Sequence, residues 1–258
     1  MLSYGSEKVN LGNPVAIGNT ANLYLFDNKI VKVFKEHLPS TESIFEARKQ
    51  EFAYSCGLNV PKILEVTEIN GRKVIIMEYI EGKTVGNLLI ENMELAEQYM
   101  NVFVNVQQTI HNIVVESDLL EPMSEKLKRQ IEHGGNLNKA QKQLLVGRLD
   151  SMIIEPRLCH GDFHPFNLIM SNDKVTIIDW VDSSAGDIRA DVYRTYLLLS
   201  QFSIYLAEIY LRIYCEKTGL SQDEVFLWAP IIAGARLSEH VSLENKDRLK
   251  EIINQYCN

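Results

Sequence analysis

Two periodicities divide the chain. Over roughly the first eighty residues, apolar and polar positions alternate in short runs: "NLYLF" and "KIVKVF" flank Asp27-Asn28, and "KILEVTEI" and "RKVIIMEYI" flank Asn70-Gly71. Alternation of period two is the mark of a half-buried strand. A two-residue break of Asp, Asn or Gly is the mark of a hairpin, because these residues accept positive φ cheaply. Between the hairpins, "STESIFEARKQEFAYSCG" predicts a helix, with Ser40 or Thr41 as its cap and apolar positions at Phe45, Phe52 and Cys56. Gly57 ends it and Pro61 keeps it from resuming.

From about residue 84 the spacing turns helical. The segments 92–115, 123–133, 137–153, 189–217, 221–237 and 244–256 carry apolar residues at three- and four-residue intervals. Strand-like "NLIM" and "KVTIID", joined by Ser171-Asn172-Asp173, interrupt that run. The junction falls in "MEYIEGKTV" (77–85), where strand character gives way through Gly82. The expected fold is therefore α+β: a small antiparallel-sheet lobe with one helix over 1–80, then a larger, mainly helical lobe over 81–258. No internal repeat or low-complexity linker is visible.

Composition narrows the function classes. With 46% hydrophobic residues in 258, there is ample material for a packed core. A net charge of -8 argues against non-specific binding to nucleic acid or to anionic membranes, and it suits cationic small molecules. Cysteines 56, 159, 215 and 257 form no C-x-x-C pair and no metal-ligand spacing, as expected of ordinary thiols in a reducing compartment. The opening "MLSYGSEKVN" has neither the basic head nor the apolar run of a signal peptide. The most apolar stretch, 195–215, is interrupted by Ser200, Gln201, Glu208 and Arg212, which fits a core helix better than a membrane span. A soluble cytoplasmic protein is expected.

The chemistry concentrates in "HGDFHPFN" (160–167) and "VTIIDW" (175–180). If "NLIM" and "KVTIID" form a hairpin, its two ends bring Asn167 and Asp179 side by side. An amide oxygen and a carboxylate are the hard donors that Mg2+ accepts, with water and phosphate completing the shell. Asp162, five positions before Asn167, is placed to take a proton from a substrate hydroxyl. His160 and His164, four apart with no third ligand, make a poor zinc site. His160 is expected to buttress the loop, and His164 to do the same or to face the substrate. Trp180 is expected in the core. Asp187 and Asp191 are expected to cap the following helix or to brace the loop, with Arg189 and Arg194 as their partners.

The spacing H-x-D-x-x-x-x-N, followed by an aspartate at a strand end, matches the kinase catalytic arrangement. With glycine at 161, "HGDFHPFN" and "IIDW" resemble the aminoglycoside phosphotransferase family of the protein-kinase-like fold, which also includes choline and homoserine kinases. "IGNTANLYLFDNKIVKVF" is similar to that family's phosphate-covering hairpin and to the strand bearing its ATP-binding lysine, here Lys32. "FEAR" is similar to its helix glutamate, here Glu46, in preference to Glu42 or Glu51. "MEYIEG" is similar to its hinge, and "SSAGDIRADVYRT" to the segment after the metal aspartate.

The resemblance implies a bilobal small-molecule kinase. Nucleotide contacts would come from Gly18, Asn19, Thr20, Ala21, Lys32, Glu46, Met77, Glu78 and Ile80, metal ligands from Asn167 and Asp179, and the catalytic base would be Asp162. The implied cofactors are ATP (or GTP) and Mg2+. The acceptor is a hydroxyl on an aminoglycoside-like molecule, another amino alcohol or a sugar, lined by residues 182–187 and the later helices, with Arg236 or Glu239 as further candidates. The chain departs from G-x-G-x-x-G by having a single glycine, Gly18, in the phosphate loop. A protein kinase is the alternative enzyme, but only twelve positions separate Asp179 from Asp191 and no A-P-E follows. A non-catalytic nucleotide-binding module would have lost the base, a metal ligand or the lysine, and all are present.

Overall fold

The computed structural model describes residues 9–116, 118–172, 174–239 and 245–256. The chain forms two compact units: residues 1–84 with 167–181, and residues 85–166 with 182–258. The segment carrying Asn167 and Asp179 thus belongs to the sheet-rich unit.

In that unit, β1 (Ala16–Ile17), β2 (Ala21–Phe26), β3 (Lys29–Phe34), β4 (Ile63–Ile69) and β5 (Arg72–Glu78) form one antiparallel sheet in the order β1-β2-β3-β5-β4. Both expected hairpin turns form, with φ of 50° and 54° at Asp27 and Asn28 and of 53° and 77° at Asn70 and Gly71. These paired positive values give the turn the strands' own right-handed twist.

The sheet buries both faces. Val31, Ile69, Val74 and Ile76 pack with Val9, Leu11, Tyr24 and Val33 on one side. Phe34, Ile75 and Met77 pack with Ala47 of helix α1 (Glu42–Ser55) on the other. Helix α1 starts at Thr41 without a side-chain cap bond and ends at Gly57 (φ 82°). Its buried face corrects the sequence expectation: Phe45 is half exposed, and the inward positions are Ser43, Glu46, Ala47, Gln50 and Ala53. Small and polar residues face inward because this surface hosts charge. A second sheet in the order β6-β8-β9 joins β6 (Lys83–Thr84), β8 (Leu168–Ser171) and β9 (Lys174–Ile177). The β8–β9 turn includes Asn172 at φ 47°; Asp173 lies outside the described residues.

The other unit is helical, with α2 (Val85–Glu91), α3 (Ala96–His111), α4 (Met123–His133), α5 (Lys139–Asp150), α6 (Ile188–Phe202), α7 (Ile204–Thr218), α8 (Gln222–Phe226), α9 (Ala229–Arg236) and α10 (Lys246–Tyr256). A short antiparallel pair lies among them, β7 (Arg157–Cys159) with β10 (Ser184–Gly186). The continuous apolar run expected as one helix over 189–217 breaks at Ser203, whose extended backbone (φ -158°) and hydroxyl, accepting from the Leu206 N–H, start a new helix. The run over 221–237 also divides, but without a side-chain cap: Trp228 precedes α9 and Pro230 stands in its first turn. Phe103, Ile110, Leu158, Phe163, Tyr210 and Trp228 are fully buried. No helix of the described residues is long and apolar enough to cross a membrane.

Candidate active site

Alternation along β3 sends Val31 and Val33 to one face and Ile30, Lys32 and Phe34 to the face covered by α1. Lys32 is only 8% exposed there, and its ammonium pairs with Oε1 of Glu46, itself 2% exposed. It also lies 3.3 Å from Oδ1 of Asp179. Glu51 points to solvent. Burial alone would pull the lysine pKa down. The charges of Asp179 and Glu46 outweigh it and hold the pKa above its usual value, so the ammonium is permanent at neutral pH. Oε2 of Glu46 is buried with no hydrogen-bond partner among the described residues.

The β8–β9 hairpin positions the second carboxylate. Leu168 pairs with Ile177, and the Ile178 N–H donates to the Asn167 carbonyl at 2.9 Å, so Asn167 faces the step just before Asp179. Asp179 takes φ +63°, a left-handed conformation that aspartate tolerates better than most residues, and this ends the strand. Asn59 anchors the hairpin from behind: its amide donates to the Val175 carbonyl (2.8 Å) and Thr176 Oγ1 (2.9 Å), and its carbonyl accepts from the Ile177 N–H (2.9 Å). The Lys49 ammonium, on α1, donates to the Val181 carbonyl at 2.5 Å. Trp180 is buried, as expected of a core residue.

The donor chemistry suits a hard divalent ion. Asn167 is nearly buried, whereas the Asp179 side chain is 40% exposed and has lone pairs to spare beyond Lys32. In the phosphate-loop segment, Gly18 N–H donates to the Ala21 carbonyl and Lys35 N–H to the Thr20 carbonyl, both at 2.9 Å, leaving exposed Asn19 at the turn. Met77 is buried beside the Gln50 amide. The Glu78 N–H is committed to the Lys62 carbonyl at 3.1 Å, so it is not a donor available to a base; Ile80, two residues on, is half-buried.

The helical unit carries Asp162. Gly161 sits at φ +80°, and a Cβ there would fall 2.3 Å from the Asp182 carbonyl oxygen, so only glycine fits. The Asp162 N–H donates to His160 Nδ1 at 3.3 Å, giving buried His160 the buttressing position expected of it. His164 Nε2 lies 3.5 Å from Oδ2 of Asp162. Burial would raise the Asp162 pKa, but the bond and charge of His164 and the charge of Arg194 overcome it and hold it below the usual carboxylate range. Asp162 is therefore ionised at neutral pH, as a proton acceptor must be.

Asp187 caps α6 by accepting from the Arg189 N–H at 2.8 Å, and it also binds the Arg189 guanidinium. Arg194 does not join Asp187 or Asp191 as expected. It pairs with Glu239 through both terminal nitrogens (2.8 and 3.0 Å), and Arg236 binds the same carboxylate. Arg194 and Arg236 thus share the single Glu239 carboxylate; His240 lies outside the described residues. Lys126 reaches both the carbonyl and the carboxylate of Asp182 at 2.7 Å.

Asp191 braces the loop, its Oδ1 accepting from the Gly161 N–H at 2.8 Å and its Oδ2 from the His160 N–H at 3.3 Å. Its further partners were not visible in the sequence. His111 Nε2 lies 2.9 Å from Oδ2, His111 Nδ1 lies 2.6 Å from the Tyr214 hydroxyl, and the Gln107 amide donates to Oδ2 at 3.4 Å. These residues stand 80 or more positions from each other or from Asp191 in most pairs, and only a polar residue recurring on the inner side of an apolar helix hints at them.

The sheet-rich unit thus carries a buried lysine with a helix glutamate and a hairpin carboxylate, and the helical unit carries an aspartate on a braced loop. The model of the phosphotransferase enzyme family matches residues 13–226, and the chain belongs to that family. No curated protein matches the sequence significantly. Among solved structures, a thermostable mutant of aminoglycoside phosphotransferase APH(4)-Ia in ternary complex with AMP-PNP and hygromycin B is similar, with a TM-score of 0.71 and 12% identity over 95% of this chain and 92% of that one. Choline kinase LicA from Streptococcus pneumoniae has a TM-score of 0.66 and 18% identity, over 97% and 95%. ADP-bound aminoglycoside phosphotransferase APH(2'')-Ib has a TM-score of 0.62 and 17% identity, over 95% and 91%. These likenesses establish the protein-kinase-like fold.

Proposed function

We propose that this protein transfers the γ-phosphoryl group of Mg·ATP to a hydroxyl of a small molecule in the cytoplasm. The observation that carries the reading is the buried Lys32 ammonium held between Glu46 and Asp179. A buried cation with carboxylates on two sides is costly to assemble for stability alone, and a triphosphate gives it a purpose. The sheet-rich unit supplies the nucleotide contacts: Lys32 on the α- and β-phosphates, the Gly18–Ala21 turn over them, and Met77, Glu78 and Ile80 along the adenine. GTP would use the same phosphate contacts. Asn167 and Asp179 are the residues that would hold Mg2+, which when bound neutralises charge on the phosphate oxygens.

Asp162 accepts the proton of the acceptor hydroxyl. As the oxygen–phosphorus bond forms, the bond from phosphorus to the β,γ-bridging oxygen breaks, and its electron pair leaves with ADP. Such a loose transition state needs alignment and charge more than covalent help, which suits a rigidly braced aspartate. The chain's net charge of -8 favours an amine-bearing alcohol such as an aminoglycoside or amino alcohol over a sugar acid. The described cysteines 56, 159 and 215 are free thiols, as suits a reducing compartment.

The test is Asp162→Ala in a purified assay of ATP consumption with a panel of amino alcohols, aminoglycosides and sugars. Turnover should vanish while calorimetry still shows magnesium-linked ATP binding. Full turnover by that variant, or ATP uptake indifferent to Mg2+, refutes the assignment.

A further inference from the structure

We propose that the acceptor carries an anionic oxygen group, a carboxylate or a phosphate, beside the hydroxyl it presents to Asp162, and that Arg194 and Arg236 receive that group. The inference rests on the reading of Asp162 as the base and adds the chemistry of the molecule bound there.

Three helices of the helical unit bring charged side chains to one place. Lys126 and Gln130 stand one turn apart on one face of α4. The Lys126 ammonium lies 2.7 Å from Oδ1 of Asp182, and the Gln130 amide donates to Oε1 of Glu239 at 3.1 Å. Arg194 comes from α6, and Arg236 from the end of α9, three positions before Glu239. Both Glu239 oxygens are taken: Oε1 accepts from Arg194 Nη1 and Gln130, and Oε2 from Arg194 Nη2 and Arg236 Nη1. The Nε of Arg194 is buried with no hydrogen-bond partner among the described residues. A guanidinium only donates, so the group that completes it is an oxygen acceptor. Pairing with Glu239 through both Nη atoms leaves the Nε edge of the fork, a second edge suited to an oxyanion.

Charge is sorted along the cluster. The Asp162 and Asp182 side chains are 25% and 33% exposed, whereas those of Arg194 and Arg236 are 9% and 7%. At the buried end two guanidinium groups share one carboxylate, which leaves that end positive. At the open end Asp162 and Asp182 outnumber Lys126, which leaves it negative. The two ends act on one another. Burial would pull the Arg194 pKa down, but the charges of Glu239, Asp182 and Asp162 overcome it and keep the guanidinium charged. A molecule with its oxyanion inward fits this polarity. An amine farther out on the same molecule matches the negative end, in keeping with the chain's overall charge.

Fold stability alone is not the better explanation. A structural ion pair gains most when charges match one to one and every buried donor is satisfied. Here a second guanidinium is buried against a carboxylate already paired, and one N–H is left over. Arginine is also the side chain whose planar fork meets carboxylate or phosphate with paired bonds.

Glycerol, glycerate and glycerol 3-phosphate share one carbon chain, and serinol and serine share another, so they separate a neutral end from a carboxylate and a phosphate. The first readout is the Arg194 Nε–H signal in NMR of the full chain, identified by its loss in Arg194→Lys. Glycerate, serine or glycerol 3-phosphate should move it saturably, and glycerol and serinol should not. Which anion moves it separates carboxylate from phosphate. The second readout is kcat/KM with Mg·ATP, where the anionic member of a set should exceed its neutral counterpart by about tenfold or more. Arg194→Lys keeps the charge and removes the fork, and should cut that preference by about threefold or more. A signal that no anion moves, or a neutral member equal to its anionic counterpart, overturns the proposal. If Arg194→Lys fails to fold, Glu239→Gln decides by calorimetry. With less counter-charge beside the arginines, glycerate or glycerol 3-phosphate should bind about threefold tighter or more; unchanged or weaker binding refutes it. A wild type that consumes no ATP with any of these molecules defeats the kinase reading alone, and the Nε–H signal still settles whether the arginines take an anion.

Discussion

Each unit buries a carboxylate, and the two do so in opposite ways. In the sheet-rich unit, Glu46 and Asp179 share Lys32, yet Oε2 of Glu46 has no hydrogen-bond partner among the described residues and the Asp179 side chain is 40% exposed. In the helical unit, both Asp191 oxygens are taken, by two backbone amides, His111 and Gln107. The first cluster is unfinished as a piece of protein and the second is complete. Unsatisfied charge of this kind is costly unless something else completes it. Under the proposed function, the contrast separates a cluster that receives a ligand from one that holds a neighbour still.

The largest effect expected under the proposed function falls on neither cluster but on Asp162. Asp162→Asn keeps the shape of the side chain and removes the proposed proton acceptor, and transfer should fall by about 10²- to 10⁴-fold. Steady-state kinetics with a competent acceptor measures it. A loss under tenfold would mean that alignment by the loop, not proton acceptance, is the main contribution.

The open cluster is tested by separating stability from activity. Lys32→Met leaves Glu46 buried without its counter-charge and should cost about 3 kcal/mol in urea unfolding. Lys32→Met combined with Glu46→Leu replaces the pair by apolar groups and should recover most of that stability. Neither variant should bind ATP with wild-type affinity. If the double variant regained ATP affinity along with stability, the pair would be structural and the contrast between the clusters would fail.

The loop geometry gives a sharper, smaller test. Gly161→Ala combines a left-handed φ with a clash against the Asp182 carbonyl, and should cost about 1–3 kcal/mol together with a marked fall in turnover. Gly219 has nearly the same φ, +77°, but a Cβ there meets nothing within 4 Å. Gly219→Ala should therefore cost about 1 kcal/mol and leave turnover alone. Equal effects at the two sites would show that φ alone, and not the clamp, sets the loop.

What the sequence revealed follows the same division. Turn chemistry made the hairpins legible, since Asp27-Asn28 and Asn70-Gly71 declare positive φ locally. Strand alternation set Lys32 apart from Val31 and Val33, and the turn cluster after "NLIM" foretold the hairpin that carries Asn167 and leads to Asp179. The inner face of α1 was misjudged because it is small and polar, and Phe45 turned outward. The break at Ser203 was hidden because apolar residues continue across it; a single capping hydroxyl makes the difference. Arg194 found Glu239, 45 positions away, instead of the nearby aspartates, and His111 found Asp191 across 80 positions. Local signals describe elements and active-site spacing; partners joined only by tertiary packing leave no local trace.

The last expected effect concerns pH, and Asp191 and Lys32 should respond at opposite ends of the scale. Asp191 has a folded pKa of about 2, below its ordinary 3.8. A group depressed on folding contributes stability that is fully present above its unfolded pKa and is lost as pH falls through the folded one. The window is thus about pH 4 down to 2, and the shift corresponds to roughly 2 kcal/mol. Lys32 is shifted upward on folding, so its contribution is present at and below its ordinary pKa of 10.5 and is lost only as pH rises beyond that. Urea titrations of wild type and Asp191→Asn, at pH 7 and at pH 3, should show the stability difference between them narrowing in acid. Burial raises the Glu46 pKa, so the same comparison with Lys32→Met combined with Glu46→Leu varies on the acid side as well. Lys32 is therefore read from the alkaline side, where that gap should narrow. A gap that stays constant for Asp191→Asn would mean that its carboxylate is not the charge the loop depends on.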